Sequence, residues 1–305
     1  MAENLSEDLA ARLREAGLDP LAVAGLAAAA LAEDLAGGTD VTTAAVIGAG
    51  TAARGEVVAR ADGVVAGLPV AEAVFEAAAQ AVADPVMVRA HTSDGRRVRR
   101  GDVLMTVSGP LTAILTAERT ALNLLCHLSG VATLTRRWAD AVDGTGARIR
   151  DTRKTLPGLR RLEKYAVRCG GGVNHRMSLS DAALIKDNHV AAAGSVTAAY
   201  QAVVSRAPGL PVEVECDTLD QVAEAVNAGA GLILLDNFGV ADMAEAVRLT
   251  GGRARLEASG GLTLDRAREV ALTGVDYLAV GALTHSAPAL DIALDLADAP
   301  GGAEG

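Results

Sequence analysis

The apolar pattern of the chain changes character along its length, from helical spacing to mixed segments and then to a regular alternation. Leu5, Leu9 and Leu13 recur at helical spacing and predict a first helix over 5–16, with Asn4 as its cap and Glu7 three residues on. Gly17 ends it. Asp19-Pro20 then supplies a cap and a first-turn proline for an alanine-rich helix over 20–33, which stops before Gly37-Gly38. Residues 54–70 have strand-like composition with a turn at Asp62-Gly63, and VAEAVFEAAAQAV at 70–82 reads as a helix. From Pro110 the pattern is helical again. Leu111, Ile114, Leu115, Leu122, Leu125 and Leu128 are apolar, while Thr116, Arg119, Asn123 and His127 form a polar stripe; a further helix is expected over 130–142.

Beyond Gly144 one rhythm takes over, a short apolar strand followed by an amphipathic helix. Strands are expected at 148–152, 183–187, 212–216, 231–236, 254–258 and 276–280, and helices near 158–169, 195–206, 218–228, 240–250 and 263–273. Such alternation implies parallel strands with helical crossovers, hence an α/β fold that is a doubly wound sheet or a (β/α) barrel. Two features favour the barrel. Polar residues close almost every strand, and in a barrel all those ends open on one face. The last two strands end in glycine-bearing turns, Ser259-Gly260-Gly261 and Val280-Gly281, where barrels commonly hold phosphate on backbone N–H groups.

Composition narrows the function. The 305 residues are 50% hydrophobic and only 2% aromatic, so a large core is built mainly from Ala, Val and Leu. The formal net charge of −10 argues against general binding to nucleic acid or anionic membranes. A basic n-region followed by an apolar stretch is missing from MAENLSEDLA, and a soluble cytoplasmic protein is expected. Cys126, Cys169 and Cys216 are odd in number and far apart, which suggests neither a disulfide framework nor a CxxC zinc site. GAGTAARG at 48–55 has Ala53 where a dinucleotide fingerprint needs its third glycine. Residues 94–109 resemble the turns of a lipoyl- or biotinyl-type half-barrel, yet no lysine stands between Met1 and Arg153 to carry a group. Arg96, Arg97, Arg99 and Arg100 there read as a solvated hairpin face.

Against this acidic background, 151–189 gathers Arg153, Lys154, Arg160, Arg161, Lys164, Arg168, Arg176 and Lys186 with His175 and His189. That reversal of sign asks for an anionic ligand. The four cations on or beside the helix near 158–169 are expected on a solvated face or an interface, leaving Arg153, Lys154, His175, Arg176 and Lys186 at the barrel mouth. Arginine suits a planar carboxylate through its bidentate fork, whereas lysine acts on phosphate as a point charge. Glu215 and Asp236 end neighbouring strands and are too few to cage calcium, but suit Mg²⁺ whose shell is completed by ligand phosphates. The set fits a small carboxylate paired with a metal-bound polyphosphate. A Schiff-base aldolase using Lys154 or Lys186, and a non-catalytic barrel that binds a phosphate ligand, are competing readings.

The runs AERTALNLLCHLSGVAT (117–133), DTRKTLPGLR (151–160), EKYAV (163–167), GGGVNHR (170–176), LIKDNH (184–189), VEVEC (212–216), LLDN (234–237), EASGG (257–261) and VGALTHS (280–286) resemble the quinolinate phosphoribosyltransferase family, as does EDLAGGTDVTT (33–43). Gly37-Gly38-Thr39 departs from the family by one residue in a loop. The resemblance implies an N-terminal α+β domain over 1–128, joined by a C-terminal helix over 287–298, an incomplete (β/α) barrel over 129–286, and a flexible tail over 299–305. It implies a homodimer with shared active sites, in which Arg119 reaches quinolinate across the dimer. Thr152, Arg153, His175, Arg176 and Lys186 would hold quinolinate; Lys154, Glu215 and Asp236 would serve phosphoribosyl pyrophosphate and its Mg²⁺; Ser259, Gly260 and Gly281 would meet a phosphate. The implied reaction joins the quinolinate nitrogen to C1′ of the ribose and loses pyrophosphate and CO₂, with Lys154, Glu215, Asp236 and Lys186 as catalytic groups. A paralogue with another acceptor would carry the same motifs.

Overall fold

The computed structural model describes residues 5–48, 50–82 and 84–297. Helix α1 (Glu7–Glu15) is capped by Ser6, whose Oγ accepts from the Leu9 N–H at 3.3 Å and donates to Glu76. The cap expected at Asn4 lies outside the described residues. Leu9 and Leu13 are fully buried, as their spacing predicts. In α2 (Pro20–Leu35) the Asp19 carboxylate accepts from Leu21 N–H and Pro20 occupies the first turn, where its missing N–H costs nothing. Then follow α3 (Val41–Val46), β1 (Ala52–Ala59), β2 (Gly63–Val64), α4 (Leu68–Val82), β3 (Met87–Ala90), β4 (Arg97–Val98) and β5 (Val103–Pro110). Arg96, Arg97, Arg99 and Arg100 are exposed, and Val98 between them is buried. Asp94, beside that hairpin, caps α4 by accepting from Gly67 and Leu68 N–H and also accepts from Tyr165 Oη at 2.6 Å.

Helix α5 (Leu111–Ala141) is one unbroken element, where two were expected. Gly130 does not stop it. A Cβ there would lie 2.9 Å from Ala289 Cα, so this glycine leaves room for the passing backbone of 288–289, and Leu290 N–H reaches the Cys126 carbonyl at 2.9 Å. After β6 (Arg148–Arg150), α6 (Arg160–Cys169) buries Leu162 through Val167, with Glu163 and Lys164 at 0% exposure. Lys164 is therefore not part of a solvated basic face. His127 Nε2 lies 2.9 Å from Glu163 Oε1, so the polar stripe of α5 is used internally at that position.

The chain continues through β7 (Ala183–Ile185), α7 (Asp187–Ala193), α8 (Val196–Arg206), β8 (Val212–Cys216), α9 (Leu219–Ala228), β9 (Leu232–Asp236), α10 (Val240–Thr250), β10 (Arg255–Ser259), a 3₁₀ turn (Leu264–Arg266), α11 (Ala267–Ala271), β11 (Tyr277–Ala279), α12 (Ala282–His285) and β12 (Ile292–Ala297). The C-terminal segment is thus a strand, not the helix expected over 287–298. It runs antiparallel to β1, from Ala59 opposite Ile292 to Arg54 opposite Ala297, and satisfies backbone groups that β1 would otherwise leave on an open edge.

Two compact units result. One comprises the chain up to Thr133, Arg161–Gly170 and the chain from Ala287 onward; the other comprises Leu134–Arg160 and Gly171–Ser286. The boundary expected at 128/129 falls inside α5, and the 299–305 tail lies outside the described residues. The first unit has an antiparallel sheet ordered β12-β1-β5-β3 and a small β2-β4 pair. The second has a parallel sheet ordered β6-β11-β10-β9-β8-β7. Because β11 pairs back on β6, the strands wind around and the gap lies between β6 and β7, an incomplete (β/α) barrel. Helix α6, expected as a barrel crossover, belongs to the first unit. Among the described residues no single helix is long and apolar enough to cross a membrane.

Candidate active site

The C-terminal ends of the parallel strands enclose a cavity of about 420 Å³. Strand alternation decides which side chains reach it. In VEVEC, Val214 and Cys216 are buried on one side while Glu213 and Glu215 share the opposite, inner side; Leu234 and Asp236 on β9 and Glu257 and Ser259 on β10 repeat the pattern. The register sets Ser259 beside Asp236 and Leu234 beside Glu215.

Of the residues expected to bind or react, Thr152, Arg153, Lys154, His175, Arg176, Lys186, Glu215, Asp236 and Ser259 all line this cavity. Lys154 follows β6 on a short turn in which its N–H donates to Thr152 Oγ1 at 3.0 Å, and its carbonyl accepts from Thr284 Oγ1 at 2.7 Å. Gly281 matters to the same turn: a Cβ there would sit 3.1 Å from Lys154 Cδ and 3.5 Å from Thr152 Oγ1. Gly260, at φ +85°, packs its Cα against the backbone of Asn237, where a Cβ would come within 2.9 Å of the amide nitrogen. Asn237 itself holds a positive φ of 57° and donates from Nδ2 to Asp236 Oδ2 at 2.8 Å. Lys186 Nζ donates to Glu215 Oε2 at 2.9 Å. Arg119, the remaining candidate, belongs to the other unit and stands exposed on α5.

Positive charge is crowded here. Burial first, and then the charge of Arg153, push the Arg176 guanidinium below its ordinary value. Arg153 Nε is buried without a hydrogen-bond acceptor among the described residues. Two like charges held together with a buried donor unsatisfied is the arrangement expected of a site completed by an anion.

Glu213 and Glu257 are not among the residues the sequence marks for a role, although period two in VEVEC sets Glu213 on the same face as Glu215. Both are buried, with Arg150 Nη1 2.6 Å from Glu257 Oε2 and 3.8 Å from Glu213 Oε1. Burial first, then the Glu213 charge, push Glu257 up to about 8, outweighing the pull of Arg150. His175 turns both ring nitrogens to protein atoms: Nδ1 accepts from Arg176 N–H at 2.7 Å, and Nε2 lies 2.8 Å from Glu213 Oε2. Burial pushes the Cys216 thiol up to about 12, so it is no nucleophile.

The pattern described as "Quinolinate phosphoribosyl transferase, C-terminal domain" matches residues 131–295, and the corresponding N-terminal domain matches residues 40–129. The chain belongs to the quinolinate phosphoribosyl transferase family. It is 55% identical to the nicotinate-nucleotide pyrophosphorylase (carboxylating) of Mycobacterium leprae over 270 residues, covering 88% of this chain and 94% of that protein. It is 40% identical over 265 residues to the probable nicotinate-nucleotide pyrophosphorylase (carboxylating) of Bacillus subtilis, covering 87% of this chain and 90% of that protein. Among solved structures, NadC from Streptococcus pyogenes superposes with a TM-score of 0.87 at 39% identity, covering 92% of this chain and 99% of the other.

Proposed function

We propose that the protein transfers the phosphoribosyl group of phosphoribosyl pyrophosphate to quinolinate, with loss of pyrophosphate and CO₂, to give nicotinate mononucleotide, and that it does so in the strand-end cavity. Membership of the family supports the reaction, and the crowded Arg153 and Arg176 beside Lys154 and Lys186 support the place.

The quinolinate nitrogen attacks C1′ as the bond from C1′ to the pyrophosphate oxygen breaks, its electron pair leaving with pyrophosphate. The C2 carboxylate then departs as CO₂, and the pair it leaves on the ring carbon takes up a proton. Arg153, Arg176 and Lys186 orient the two substrate carboxylates, and Thr152 and His175 shape the same wall. Lys154 meets the pyrophosphate, with Ser259 and the N–H groups at Gly260 and Gly281 receiving a phosphate. Glu215 would face the ribosyl cation, and Lys186 would stabilise the ring carbanion; both line the cavity. Arg119 completes the quinolinate pocket from the partner subunit of a dimer.

Glu215 and Asp236 offer hard oxygen donors on adjacent strands, which suits Mg²⁺ held by one or two carboxylates and substrate phosphates. When bound, the ion would neutralise charge on the pyrophosphate. An acidic chain with three free cysteines fits a reducing cytoplasm. The test is direct: pure protein with quinolinate, phosphoribosyl pyrophosphate and Mg²⁺ forms nicotinate mononucleotide and CO₂ in equal amounts. Absence of product, or equal use of nicotinate as acceptor, overturns the reading.

A further inference from the structure

Beneath the cavity lies a second, largely buried layer of charge. Arg150 from β6, Glu213 from β8 and Glu257 from β10 meet under His175, with Glu213 at 3% exposure, Glu257 at 0% and His175 at 8%. Both Glu213 oxygens and Glu257 Oε1 are buried without a hydrogen-bond donor among the described residues. None of these acids has a part in the proposed reaction, and buried carboxylates are too costly to be idle.

A metal ion is one way to satisfy them, since His175, Glu213 and Glu257 each bring a ligand atom within 4.8 Å of the others. The imidazole argues against it. His175 Nδ1 accepts from Arg176 N–H at 2.7 Å, so in the neutral ring the hydrogen sits on Nε2, the nitrogen that faces the acids. A ligating nitrogen must be bare. Arg150 Nη1, 2.6 Å from Glu257 Oε2, already supplies a cation to the cluster.

We propose that Glu213 is a positioning residue for the quinolinate pocket: it holds His175 in the Nε2–H tautomer, and through the His175 Nδ1 contact it fixes Arg176 at the anion site. The proposal rests on the function assigned above. The 2.8 Å approach of Nε2 to Glu213 Oε2 is off the line of a regular hydrogen bond, so the attraction is that of an N–H dipole for a nearby charge in a low-dielectric site. A second acid supports the same segment from below. Asp151, at 0% exposure, accepts from His175 N–H at 2.8 Å and from Asn174 Nδ2 at 2.5 Å. Residues 174–176 thus lie on a platform of two carboxylates, one holding the backbone and one the imidazole. Arg150, stacked 4.9 Å over the Tyr277 ring, meets both Glu213 and Glu257 from the far side.

Such outer partners orient the groups that touch substrate, and losing one costs roughly 10–100-fold at the site it supports. The test joins a tautomer readout to a kinetic one. Nitrogen-15 NMR of the imidazoles, with the His175 signals assigned by their loss in His175→Gln, should show one tautomer in the wild-type protein, protonated on Nε2. Glu213→Leu should show exchange between tautomers and raise KM for quinolinate about tenfold or more, with KM for phosphoribosyl pyrophosphate changed less than about twofold. Glu213→Gln keeps an acceptor oxygen and the same shape, and should recover most of the loss. An Nδ1–H tautomer in the wild-type protein overturns the proposal, as does an equal rise in both KM values or an unchanged quinolinate KM in Glu213→Leu. The wild-type tautomer is read without turnover, so failure of the assigned reaction is distinguishable from failure of this positioning role.

Discussion

Lys186 Nζ donates to Glu215 Oε2 across 2.9 Å, joining the end of β7 to the end of β8. In the proposed reaction these two groups serve different substrates, so in the free protein each neutralises a charge the other's ligand would otherwise meet. The Lys186 side chain is 47% exposed, and a pair so open to water contributes at most about 1 kcal/mol to stability. Lys186→Met should therefore shift the melting temperature by no more than about 2–4 °C. Its kcat/KM for quinolinate should fall by roughly 100–1,000-fold, as for loss of a charged group acting on the reacting centre. Steady-state kinetics beside thermal melts separate the two effects.

Chelation tests the carboxylate pair. Treatment with EDTA should abolish turnover and added Mg²⁺ restore it, while Asp236→Asn should raise the Mg²⁺ concentration for half-maximal rate about tenfold, because one of two hard ligands loses its charge. A Mg²⁺ titration of rate in both proteins would show it, and full activity in EDTA would contradict the metal assignment.

Gly260 has no room for a side chain. With φ at +85° and a Cβ 2.9 Å from the Asn237 amide nitrogen, Gly260→Ala must move the loop that follows Ser259. A loss of about 2–3 kcal/mol is expected in urea denaturation. Activity should suffer beyond that, with KM for phosphoribosyl pyrophosphate rising more than KM for quinolinate.

Glu257 makes stability depend on pH in an unusual direction. Its ordinary value of 4.5 is pushed up to about 8, so between those values the folded protein holds a proton that the unfolded chain has released. Its contribution is full below pH 4.5 and is lost as pH rises through 8, with a total on the order of a few kcal/mol. Glu257→Gln removes the titration. Denaturation curves from pH 5 to 9 should show the wild-type protein losing stability relative to this variant, and parallel curves would refute the prediction.

Arg119→Ala and Lys154→Ala should each be nearly inactive alone. Mixed under exchange conditions they should return about a quarter of wild-type activity, since half the dimers carry one intact site of two. No recovery would contradict a site shared between subunits.

Residue order by itself determined most of the strand and helix rhythm from Arg148 to Ala279, though not α7, because apolar period is a property of near neighbours. It also placed the polar residues at one barrel face, since parallel strands with crossovers leave every C-terminal end on the same side. Even the C-terminal strand was within reach, as Leu290, Ile292, Leu294 and Leu296 alternate with Asp291, Ala293 and Asp295. Choosing strand over helix there depended on the open edge of β1, which a local reading does not contain. The tertiary structure alone decided that Gly130 makes room for a passing backbone, that Lys164 is buried, and that His175 is turned toward Glu213. Each of these depends on a partner distant in the chain, and burial of a charge or the hydrogen position on an imidazole is set by what surrounds it, not by its neighbours in sequence.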